Sequence, residues 1–186
     1  MKPIEIFSLF SSVTATAFYA GIAFSLLSSE NPLVCSVNLL IFAVLVVLLP
    51  TASVIYLWRG NKADLNVSDR KTRQLLYDST VAGAFVSTAV FLTLKNRIMF
   101  DISLSYLLMF AAFSLINTKW KISMHASGVT LPITALSFVL GPEANVFHLL
   151  VVPVMWMRVR MKVHTWAQVI AGSVLAFLLA SLVYSL

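Results

Sequence analysis

The chain has 186 residues, 60% of them hydrophobic and 11% charged, with a mean hydropathy of +0.93. An ordinary soluble domain carries about 25% charged residues, so this chain lacks the polar surface a globule in water requires, and a soluble enzyme is excluded. Its 13 Lys and Arg against 7 Asp and Glu give +6, which in so apolar a chain reads as topology signal, anionic lipid headgroups or a phosphate site ahead of nucleic acid.

At about 20 residues per spanning helix, the expected fold is all-α, a polytopic transmembrane bundle of about 6–7 segments forming a single domain over 1–186. The first segment covers 6–28; its apolar stretch is too long for a cleavable leader, and it ends at Ser28-Ser29-Glu30-Asn31-Pro32. The second covers 33–58 and carries Pro50, which should kink it; Cys35 within it leaves no intramolecular disulfide. Residues 59–78 form the longest polar stretch. Segments at 79–94 and 102–117 follow, joined by a tight turn at 95–101. Next comes Asn117-Thr118-Lys119-Trp120-Lys121, then a segment over 124–140 that stops at Gly141-Pro142-Glu143. A short piece over 144–157, rising about 21 Å if helical, leads to a basic stretch at 158–162. The last segment is 167–186.

Counting seven spans places the loops after the second, fourth and sixth on the side of the N-terminus. That side collects Lys2, Arg59, Lys62, Arg70, Lys71, Arg73, Lys119, Lys121, Arg158, Arg160 and Lys162, and leaves only Lys95 and Arg97 opposite. The positive-inside rule alone accounts for such a bias. An anion site where helix ends meet accounts for it as well, because His125 and His164 lie in the same clusters. Cations to hold phosphate oxygens, with one imidazole as nucleophile and another as acid, are what phosphoryl transfer needs.

Arg158-x5-His164-x3-Gln168-Val-Ile-Ala-Gly resembles the third signature of the type 2 phosphatidic acid phosphatase family, which includes the vanadium haloperoxidases and is written S-R-x5-H-x3-D. Ser123-Met124-His125-Ala126 resembles its second signature, P-S-G-H. Asn66 and Arg73, with Arg70 between them, occupy the place of the first, K-x6-R-P. The resemblance runs over about 62–172 in the family's order. It implies a metal-independent phosphatase acting on a lipid phosphate or prenyl diphosphate through a phosphohistidine, with no cofactor. Carried over, His164 is the nucleophile and His125 protonates the leaving group. Arg73, Arg158, Ser123 and the amide of Met124 hold phosphate oxygens, with Asn66, Arg70 and Lys121 beside them. Gln168 stands where the family has an Asp that orients the nucleophile.

The implied protein is an integral, multi-pass protein of the cell membrane with lipid partners. Two other functions compete, ahead of a small transporter or channel. One is a divergent member that binds anionic lipid or a partner protein without turnover. The other is a prenyltransferase, suggested by Asn61-x2-Asp64-x4-Asp69. His148, inside an apolar run, is expected to hydrogen-bond within the bundle, so no metal triad of the three histidines is anticipated.

Overall fold

The computed structural model describes residues 3–59 and 70–186. The fold is an all-α helical bundle, with no strand among the described residues. Its elements are α1 (Pro3–Phe10), α2 (Val13–Leu27), α3 (Pro32–Phe42), a π-helical stretch (Ala43–Leu48), α4 (Leu49–Arg59), α5 (Arg70–Thr93), α6 (Arg97–Asn117), α7 (Met124–Leu140), a 3-10 stretch (Pro142–Leu150), α8 (Val151–Arg160) and α9 (Trp166–Tyr184). Among the described residues, four helical runs are long and apolar enough to cross a membrane: Pro32–Ser53, Leu76–Thr93, Arg97–Asn117 and Trp166–Tyr184. The α1–α2 pair makes a fifth if its 44° bend lies within one span, and α7 is apolar but shorter, at 17 residues. The chain divides into two compact units, Gly21–Trp120 and Met1–Ala20 with Lys121–Leu186.

In the unit Gly21–Trp120, Pro50 distorts its helix as expected, and the distortion precedes it. Proline carries no N–H for the helical ladder; over Ala43–Leu48 the helix widens to π geometry, and the Leu49 N–H reaches back to the Val44 carbonyl. The widened turn meets α5 at Gly83, where a Cβ would overlap the Leu45 carbonyl oxygen. α5 starts at Arg70, so nine residues of the expected polar loop are helical. No Gly or Pro interrupts Arg70–Asp78, and Arg, Lys, Gln and Leu are good helix formers. α5 and α6 pair through the buried hydroxyls of Ser87 and Ser103, 2.9 Å apart, and through Gln74 Nε2 donating to Ser114 Oγ at 2.5 Å. Between them Lys95 takes a left-handed φ of 55°, and its N–H and that of Asn96 return to Leu92 and Phe91. Asn96 then caps α6 by accepting the Met99 N–H at 3.2 Å.

In the other unit, the expected first segment is two helices. Ser11 Oγ donates back to the Phe7 carbonyl at 2.8 Å, and Ser12 Oγ accepts the Ala15 N–H at 3.2 Å. One hydroxyl helps end α1 and the next helps start α2. α7 and α9 run parallel: Ser123 lies beside Gln168, Thr130 Oγ1 donates to Ser173 Oγ at 2.9 Å, and the rings of Phe138 and Tyr184 are 5.9 Å apart. A parallel pair requires the connection to return along the whole length. The expected short piece over 144–157 is instead a drawn-out return over 142–160. Its 3-10 stretch rises about 2.0 Å per residue and α8 about 1.5 Å, together about 33 Å against about 26 Å for α7. The return packs as it descends, with Val151, Val154 and Met157 clustered on Val129 and Ile133 of α7 and Ile4 of α1 leaning on the cluster.

Candidate functional site

The spacing of Arg158 and His164 is a helix end followed directly by a helix start. α8 closes in a Schellman turn: the Val163 N–H donates to the Arg158 carbonyl at 3.3 Å and the Lys162 N–H to the Val159 carbonyl at 2.9 Å. Lys162 sits at the left-handed position with φ 56°. The His164 N–H also donates to the Arg158 carbonyl, at 3.4 Å. The next residue, Thr165, caps α9 in a capping box with Gln168: its hydroxyl accepts the Gln168 N–H at 3.3 Å, and Gln168 Oε1 accepts the Thr165 N–H at 3.2 Å. Two back-to-back caps thus turn six residues of sequence into neighbours. Thr165-x2-Gln168 was legible as a capping box, and the candidate residues drawn from sequence omitted Thr165.

The same Gln168 oxygen lies 3.0 Å from Nδ1 of His164. A backbone N–H is only a donor, so the atom it meets must be the amide oxygen, which fixes the orientation of the Gln168 side chain. Nδ1 of His164 therefore carries its proton and donates, and in the neutral imidazole the lone pair is left on Nε2. His164 is buried.

The start of α7 is seated on the first turns of α9. The Ser123 N–H donates to the Gln168 carbonyl at 3.3 Å, and a Cβ at Gly172 would lie 2.6 Å from the Ser123 carbonyl oxygen. Gly172 allows the approach that brings the start of α7 onto the first turns of α9. Ser123 holds the cap position of α7, yet its side chain makes no capping bond. Its hydroxyl is fully buried, with no hydrogen-bond partner among the described residues. Met124 and His125 are the first two residues of α7 and half-buried, so their amides belong to the turn whose N–H groups lack helical partners and face the positive end of the helix dipole.

Arg158 is 4% exposed, and its Nη1 donates to the Ser8 hydroxyl of α1 at 3.0 Å. Ser8 carried no motif, and nothing in the sequence pointed to it. Lys121 is half-buried two residues before Ser123. Lys162 and Arg160 are exposed, and the Arg160 guanidinium lies 5.3 Å over the ring of Trp156. Lys121, Ser123, Met124, His125, Arg158, His164 and Gln168 thus belong to one unit, and Arg70 and Arg73 to the other, on the first turn of α5. Asn66, with Asn61, Asp64 and Asp69, lies outside the described residues, and the side chains of Arg70 and Arg73 lie outside them too. His148 faces Thr134 Oγ1 through Nε2 at 3.0 Å and the Asn145 carbonyl through Nδ1 at 3.2 Å. Among the described residues no group of three His, Cys, Asp or Glu is placed to hold a metal ion.

Comparison with known proteins returns no match: no protein-family model, curated protein or solved structure is similar to this chain.

Proposed function

We propose that the protein is a membrane-embedded phosphatase of lipid phosphates or prenyl diphosphates, working through a phosphohistidine on His164. The observation that carries the reading is the Gln168–His164 hydrogen bond, whose direction the capping box sets. A neutral imidazole held with its lone pair on Nε2 is the form that attacks phosphorus. In the proposed step the Nε2 pair forms a bond to phosphorus as the bond to the leaving oxygen breaks, and that oxygen takes a proton from His125. Water, giving a proton back to His125, then attacks phosphorus and releases inorganic phosphate with His164 restored. Arg158 suits the equatorial oxygens through its planar fork. The buried Ser123 hydroxyl and the first amides of α7 suit another oxygen. The apolar tail stays among the helices, as the many exposed apolar side chains allow.

A second reading is favoured by one feature: Gln168 supplies an acceptor and no negative charge, so an imidazolium forming on His164 is less stabilised than beside an Asp. On this reading the site binds anionic lipid without turnover. The test gives purified protein in bilayer vesicles a panel of lipid phosphates and diphosphates with EDTA present, for wild type and His164→Ala. Phosphate release that resists chelation, is blocked by vanadate and disappears in the variant supports the phosphatase. Saturable lipid binding with no release supports the second reading.

A further inference from the structure

His164 is buried, and its backbone N–H is held by the carbonyl of Arg158, itself buried and cationic. The acceptor on its Nδ1 is the uncharged amide oxygen of Gln168. Residues 121–186 carry Lys121, Arg158, Arg160 and Lys162 against a single acidic side chain, Glu143. Glu143 follows the last turn of α7, the opposite end of that helix from Ser123. The other acidic side chain of the unit is Glu5, on the first turn of α1. When Nε2 of His164 gives its electron pair to phosphorus the ring becomes cationic, and these surroundings oppose the charge. Burial removes its hydration, the segments that form the site carry cations of their own, and a hydrogen bond to a neutral acceptor is roughly half as strong as one to a carboxylate.

A weakly supported attack makes the rate depend on the bond that breaks. In a loose phosphoryl-transfer transition state the bond to the leaving oxygen is largely broken, so the basicity of that oxygen sets much of the rate. An alkoxide is a strong base and must take a proton as it departs. The bridging oxygen of a diphosphate departs with its electron pair as part of a phosphate anion, a far weaker base that needs such a proton much less. We infer that Gln168 makes this a site for lipid diphosphates in preference to lipid monophosphates, because a neutral partner on His164 supports attack only on a phosphorus whose leaving oxygen is weakly basic. His164 Nε2 bonds to the terminal phosphorus as the anhydride P–O bond breaks, the lipid monophosphate leaves, and water releases inorganic phosphate from the ring. This selectivity rests on the phosphatase reading of the site and names Gln168 as the residue that sets it.

The experiment measures kcat/KM, which reports the step that phosphorylates His164, for the full chain in phosphatidylcholine vesicles with EDTA present. Its substrates share one tail: dodecyl phosphate, dodecyl diphosphate and para-dodecylphenyl phosphate. The aryl ester has the charge of a monophosphate and a weakly basic leaving oxygen, so it separates leaving-group chemistry from recognition of a second phosphate. The diphosphate and the aryl ester are both expected to exceed dodecyl phosphate by about a hundredfold, the low end of what a positioned proton donor supplies to a basic leaving group. Gln168→Glu is expected to narrow that ratio about threefold, because the poorer leaving group demands more bonding to Nε2 and so more charge on the ring. Glu5→Gln is expected to leave the ratio unchanged. Equal kcat/KM for the three substrates with the label still on His164 overturns the selectivity and leaves the phosphatase reading standing. A fast diphosphate beside a slow aryl ester, a ratio unmoved by Gln168→Glu, or a ratio widened by Glu5→Gln also overturns it. No release from any of the three, with no label on His164, overturns the phosphatase reading and the selectivity with it.

Discussion

One oxygen of Gln168 serves two donors: it lies 3.2 Å from the Thr165 backbone nitrogen and 3.0 Å from Nδ1 of His164. The first contact fixes the amide, and the second thereby fixes the imidazole tautomer. In serine proteases, replacing the triad Asp by Asn costs roughly 10⁴ in rate because the amide leaves the histidine in the wrong tautomer. Here the helix cap turns the amide oxygen towards the histidine, so Gln168 supplies the orienting acceptor without the charge a carboxylate would add. Gln168→Glu retains the reach and the cap and adds the charge; its kcat is expected to rise about tenfold, since a bond to an ionised acceptor is roughly twice as strong. Gln168→Leu is expected to lose about 1 kcal/mol of stability with the cap and most of the turnover. Steady-state kinetics beside thermal melts separate the two effects.

Ser123 offers a test that distinguishes ligand binding from packing. Its hydroxyl is buried without a partner among the described residues, so Ser123→Ala removes an uncompensated polar atom. Stability is expected to stay within about 0.5 kcal/mol or to increase. Vanadate inhibition is expected to weaken about tenfold, the value of a hydrogen bond to a charged group. A large loss of stability with inhibition unchanged would make Ser123 purely structural.

The Ser8 contact ties α1 to the site. Ser8→Ala leaves Arg158 Nη1 without this acceptor in a buried position, and the expected loss of stability is about 1–3 kcal/mol. KM for the lipid phosphate is expected to rise as the fork loses its fixed orientation, and Ser8→Thr is expected to restore both. Melting curves and KM against kcat for the two variants check this.

Gly172 sets how closely α7 approaches α9. A methyl group there would lie 2.6 Å from the Ser123 carbonyl, so Gly172→Ala forces the start of α7 away from Gln168 and is expected to destabilise by about 1–3 kcal/mol. Hydrogen exchange at the Ser123 N–H is expected to accelerate with it.

The parts of the fold legible in sequence were those written as contrast between apolar and polar runs. The segment at 124–140 coincides with α7, bounded by Ser123 and by Gly141 with its φ of 110°. Pro50 announced the disturbance that became the π turn. The bend at Ser11 and Ser12 was hidden because two serines inside an apolar run change hydropathy little while their hydroxyls compete for the backbone. The 3-10 return over Pro142–Leu150 was hidden because its cause is tertiary: a parallel α7–α9 pair must be joined by a segment long enough to come back. At the site, Arg158, His164 and Gln168 were legible through their spacing. The turn that makes the spacing work was not, because Lys162 fills a position where glycine is the usual signal. Ser8 is 150 positions from its partner and had no local signal.

His164 is proposed to attack phosphorus through Nε2, and trapping the intermediate tests this step. Wild-type protein in vesicles is mixed with a lipid phosphate carrying radioactive phosphorus, quenched in alkali within milliseconds and digested. The expected result is an acid-labile label on the peptide containing His164, with phosphorus on Nε2 because Gln168 occupies Nδ1, and no label in His164→Ala. Phosphate release without any labelled histidine, or a label on Nδ1 of His164, would contradict it.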